Sequence, residues 1–103
     1  MESKATPITE EMVKELEIKG FKRWQKGSMD RLYINACNLG LTVERYNTGN
    51  IKRAYFNGES VSNSEGRRMI TAKTYIDVKS GRVYSDNDIL KRAVMAIIGL
   101  EDD

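Results

Sequence analysis

The sequence contains no histidine and a single cysteine, Cys37. Those two scarcities remove Ser-His and Cys-His nucleophile pairs, histidine-ligated metals and intramolecular disulfides together. Most familiar enzyme classes go with them, and the expectation is a non-enzymatic protein with no cofactor and no metal. Neither GxxxxGK[ST] nor GxGxxG occurs, so nucleotide hydrolysis and dinucleotide binding have no support. Paired zinc-finger ligands and the interleaved aromatic and glycine strand motif of RNA-recognition domains are missing too. Asp86, Asn87 and Asp88 lack the further ligands, glycine and terminal glutamate of a calcium loop, and read as helix-start residues.

Long apolar runs are also absent. The longest, Ala93 to Leu100, spans eight residues, far short of the roughly 20 that cross a bilayer. Residues 1–20 have no basic start followed by an apolar stretch, so no secretory signal is expected. With one free thiol and no disulfide, the expected location is the cytoplasm.

What is present suits one small folded domain. The 103 residues are 40% apolar and 31% charged, enough for one core with a solvated surface. A single domain over 1–103 is expected, with short flexible ends at 1–6 and 101–103. The net charge of +2 is unevenly spread. Residues 1–18 and 83–103 each carry a net of −3, whereas 19–82 carry thirteen bases against five acids. That basic middle reads either as ordinary solvated charge or as a surface for phosphate or an acidic protein.

Periodicity supplies the elements. Thr9 before Glu10 and Glu11 predicts a helix over Glu10 to Lys19, with Met12, Val13 and Leu16 inward. From Phe21 the period becomes two. Phe21–Gln25 and Met29–Ala36 predict a hairpin, Cys37-Asn38-Leu39-Gly40 interrupts it, and strands follow near Leu41–Glu44 and Ile51–Phe56. Asn57-Gly58 suits a type I′ turn into a short strand at Glu59–Val61. Ser62-Asn63-Ser64-Glu65 matches a capping box, opening a second helix to about Thr71 despite Gly66, which costs about 1 kcal/mol relative to alanine. That helix carries Arg67-Arg68, but it is short and has no helix-turn-helix partner before it. Lys73–Val78 and Arg82–Tyr84 form a second hairpin. Ser85 is the expected cap of a last helix ending at Gly99, whose wide apolar arc, including Leu90, Val94 and Ile97, implies the main core helix or a homodimer contact. The fold class is therefore α+β, an antiparallel sheet of about five to six strands with three helices in the order αββββαββα.

Cys37, beside Ala36 and with no base to activate it, reads as a small space-filling residue. The constellation that stands out is cationic and aromatic. Lys22, Arg23, Trp24 and Lys26, Arg31 with Tyr33, Arg45 with Tyr46, and Lys52, Arg53 with Tyr55 place guanidinium groups and flat rings on neighbouring strands. Such a face suits protein hot spots, where arginine and aromatic anchors dominate, or single-stranded nucleic acid, where rings stack on bases and cations follow phosphates. Packing of arginine stems over ring edges is the structural alternative.

In general character, being small, compact and without catalytic residues, the chain looks like accessory proteins of bacteriophages and mobile elements, including inhibitors of host nucleases such as anti-CRISPR proteins. That likeness covers no motif and carries over no residue. It implies stoichiometric binding to a protein partner, with host nuclease machinery as the first class to try. Direct nucleic-acid binding through the same face is the alternative.

Overall fold

The computed structural model describes residues 6–99. Among these the chain is α+β, with three α-helices and seven antiparallel strands. The order is α1 (Glu10–Ile18), β1 (Lys22–Lys26), β2 (Met29–Tyr33), a 3₁₀ turn (Ala36–Leu39), β3 (Leu41–Arg45), β4 (Ile51–Phe56), β5 (Glu59–Val61), α2 (Asn63–Thr71), β6 (Thr74–Asp77), β7 (Val83–Ser85) and α3 (Asp88–Ile97). The expected flexible ends 1–6 and 101–103 lie outside the described residues, apart from Thr6.

The expected single sheet is two sheets. β1, β2, β6 and β7 form one of four strands in that spatial order, and β3, β4 and β5 form the other. The break falls where Cys37-Asn38-Leu39-Gly40 interrupts the alternation. Asn35 accepts the Asn38 backbone N–H through its side chain at 3.0 Å, and Gly40 closes the turn at φ 117°. The chain therefore leaves the first sheet after Ile34, whose N–H bonds to Thr74 O at 3.1 Å. β2 thereby takes β6 as its second neighbour and not β3, and the predicted strand to Ala36 stops at Tyr33.

Local signals set the turns and caps. Asn57 and Gly58 both take positive φ, 50° and 84°, as a type I′ turn requires, and join β4 to β5. Thr9 Oγ1 accepts from the Met12 N–H at 3.2 Å, and Ser62 Oγ accepts from the Glu65 N–H at 3.0 Å. The reciprocal half of the capping box is redirected. Glu65 Oε1 accepts from Asn87 Nδ2 at 3.1 Å and so ties α2 to the start of α3. Asn87, not Ser85, caps α3, accepting from the N–H groups of Ile89 and Leu90 at 3.0 and 3.1 Å. Ser85 Oγ instead accepts from the Asn87 N–H and shares a hydrogen bond with Thr74 Oγ1.

The core is continuous through both sheets. Val13 and Leu16 of α1, Leu32 of β2, Ile76 of β6, Leu39 and Leu41 at the junction, Ala54 of β4, Met69 of α2, and Leu90 and Val94 of α3 are buried together. α2 lies against β4, and α3 lies against β7 and the 3₁₀ turn. Of the arc on α3, Leu90 and Val94 are fully buried, Ile97 is half-buried at the core margin, and Ile89 is exposed. Cys37 is exposed, so it does not fill space: the tight turn places Ala36 and Leu39 inward and leaves Cys37 outside. No helix among the described residues is long and apolar enough to cross a membrane.

Candidate binding face on the four-stranded sheet

Directly paired residues on neighbouring antiparallel strands point to the same side of a sheet. The register therefore fixes what the alternation left open. Lys22 on β1 faces Tyr33 on β2, Tyr33 faces Tyr75 on β6, and Tyr75 faces Tyr84 on β7. One step along, Trp24 faces Arg31, which faces Asp77, and Lys26 faces Met29. All of these lie on one side. Leu32, Ile76 and Val83 point the other way, into the core.

The rings form a row across all four strands. Trp24 meets Tyr33 edge to face with centroids 6.3 Å apart, Tyr33 meets Tyr75 at 5.1 Å, and Tyr75 stacks on Tyr84 at 5.1 Å and 24°. Arg31 sits among them, its guanidinium carbon 4.4 Å from the Tyr75 ring centre and 5.7 Å from that of Trp24. It donates from Nη1 to the Tyr33 hydroxyl at 3.0 Å, and that bond holds its pKa above the ordinary arginine value. A guanidinium plane lying on rings is pre-organised, because its rotamers are already restricted. Around the row stand Lys22, Lys26 and Met29, all exposed. Asp77 is the acid of the face, and it accepts from the Ser80 N–H and hydroxyl at 3.1 and 2.6 Å. Trp24 is 38% exposed and Tyr84 45%, although each carries enough apolar area to be drawn into a core.

Arg23 does not belong to this face. It alternates with Trp24 and points to the opposite side, where it donates from Nε and Nη2 to Asp30 at 3.0 and 2.7 Å and from Nη1 and Nη2 to Glu10 at 2.9 and 3.1 Å. The fork thus ties β1, the start of β2 and α1 together. Its bonds hold both the Asp30 and Glu10 carboxyls below the usual carboxylate range, and the two carboxylates raise the pKa of Arg23. Arg23 is a structural clasp.

The remaining expected residues lie on the second sheet. Arg53 and Tyr55 face Glu44 and Thr42 on β3, and Arg53 Nε is 4.0 Å from Glu44 in an exposed pair of little energetic weight. Arg45 donates to Gly49 O at 2.7 Å, bracing the β3–β4 turn. The register shift near Arg45 leaves Lys52 as the extra residue on β4, with its ammonium 6.0 Å from the Tyr46 ring. The expected constellation therefore divides in three: Arg23 is the clasp, Arg45, Tyr46, Lys52, Arg53 and Tyr55 belong to the second sheet, and Lys22, Trp24, Lys26, Arg31 and Tyr33 share the outer face of the first. Tyr75 and Tyr84 were missed. Each stands at the outward parity of its own strand, but only the β2–β6 pairing brings them beside Tyr33.

No protein-family model matches the chain, and no curated protein or solved structure shows a significant match to it.

Proposed function

We propose that the protein acts by stoichiometric, non-enzymatic binding to an acidic partner protein, through the outer face of the four-stranded sheet. The observation that carries this reading is the packed Trp24, Tyr33, Tyr75 and Tyr84 row with Arg31 among its rings. Trp, Tyr and Arg are the residue types that dominate protein hot spots, and rigid rings lose little entropy on binding. Lys22, Lys26 and Arg31 against Asp77 give the face a positive excess, which matches a negatively charged partner surface. We place this activity in the cytoplasm, and inhibition of host nuclease machinery is the form of it to test first.

The same charge excess favours a second reading, single-stranded nucleic acid. Against it stands the condition of the rings. Arg31 covers Tyr75, and Tyr75 and Tyr84 stack on one another, so a base finds few bare ring faces. Salt separates the two. Neutralising three phosphates with Lys22, Lys26 and Arg31 makes affinity for a single strand fall roughly 20-fold between about 50 and about 200 mM salt. A packed aromatic interface responds far less. Labelled single-stranded oligonucleotide titrated at both salts should show no sub-micromolar binding at the lower one. Tight binding that weakens roughly 20-fold at the higher one and is lost in Arg31→Ala supports the nucleic-acid reading instead.

A further inference from the structure

At one end of the aromatic row the outer face dips into an open cleft of about 240 Å³. Lys22, Tyr33, Asn35 and Lys73 line it together with the apolar Ile34 and Ala72. Lys22 comes from the strand on one side of β2, and Lys73 from the residue leading into the strand on its other side. The two stems therefore flank the end of β2. Among the described residues no acid lines the cleft and neither lysine is in an ion pair. Outside the lining, Asp86 Oδ2 accepts the Lys73 backbone N–H at 3.1 Å.

Two lysines and the Asn35 side chain thus border the cleft beside the apolar Ile34 and Ala72. That combination suits a carboxylate on a short aliphatic stem: the charge meets the lysines and the methylenes meet Ile34 and Ala72.

We propose that this cleft receives an acidic side chain, aspartate or glutamate, of the partner protein. This rests on the reading that the outer face binds an acidic protein, and adds the group that fixes the partner's register beside the rings.

The probe is an N-acetylated, C-amidated Ala-Glu-Ala peptide, with Ala-Gln-Ala as its neutral match, followed through backbone amide shifts. The glutamate peptide should move the amides of Lys22, Asn35 and Lys73. Each nearby cation supports a bound anion only modestly in water, so Lys22→Ala/Lys73→Ala should weaken binding about tenfold or more. The double variant should melt as the parent does, since both lysines are exposed. Arg53→Ala, on the second sheet and away from the cleft, should leave peptide affinity unchanged, and whole-partner capture with Trp24→Ala/Tyr84→Ala tests the rings separately. Equal binding of the glutamine peptide, shifts elsewhere on the surface, or tighter binding of inorganic phosphate or an oligonucleotide at these amides overturns the proposal.

Discussion

Gly66→Ala sets local helix preference against tertiary contact. Within α2 alone the change favours folding by about 1 kcal/mol, because glycine is the poorer helix former. Gly66 is buried, however, and a Cβ built on it lies 2.8 Å from the Cβ of Ala54 on β4. Both carbons are fixed to backbone, so neither can swing aside, and α2 must back away from the sheet. That movement would loosen Met69, which is fully buried one turn further along. Overpacking of this kind costs about 1–3 kcal/mol. A net loss of about 1 kcal/mol follows, which in a domain of this size lowers the thermal midpoint by roughly 4–8 °C. Far-UV circular dichroism melts of the parent, Gly66→Ala, Ala54→Gly and the double variant complete the test. Removing the Ala54 methyl should recover much of the loss caused by Gly66→Ala, giving a favourable coupling between the two changes. A Gly66→Ala variant that melts above the parent, or a double variant that is simply additive, would refute the α2–β4 contact described here.

Leu90→Ala removes a fully buried side chain from the helix that closes β7 and should cost about 3–5 kcal/mol in urea unfolding, whereas an unchanged midpoint would place α3 outside the core. Asp30 and Glu10 have folded-state pKa values below their ordinary ones, so the stability they lend is complete above about pH 5 and is lost as pH falls through the folded values. The unfolding midpoint should accordingly fall more steeply in acid for the parent than for Arg23→Gln, and parallel profiles would contradict the clasp. Cys37 is exposed, so Cys37→Ser should change stability by no more than about 0.5 kcal/mol and leave binding intact; loss of binding by a folded Cys37→Ser variant would reveal a role for the thiol.

The parts of the fold legible in the sequence are those set by neighbouring residues. Thr9 and Ser62 cap where their side chains predict, and Asn57-Gly58 turns as its two positive φ values demand. Pairing between distant strands was not legible. Alternation within β2 places Arg31 and Tyr33 on one side and Leu32 on the other, whichever strand lies next door. That β6 takes this position depends on the turn at Asn35–Gly40, whose interruption of the pattern is compatible with a bend inside one sheet as well as with a departure from it. The same ambiguity hid Tyr75 and Tyr84 and grouped Arg45, Lys52, Arg53 and Tyr55 with a face on which they do not stand. Arg23 was legible in principle, since it alternates with Trp24 and must point the other way. Its position in a basic cluster outweighed that parity.

A ring row that is a contact surface for protein must hold its partner without nucleic acid. Affinity capture from a nuclease-treated lysate, with the parent, Trp24→Ala/Tyr84→Ala and Arg53→Ala as matched baits of equal stability, tests it most directly. The parent and Arg53→Ala should both retain a partner after nuclease treatment. Binding by the ring variant should fall at least about 30-fold, as loss of a hot-spot anchor implies. A partner that the ring variant retains, or one that nuclease removes from every bait, would contradict the row's role as a protein contact.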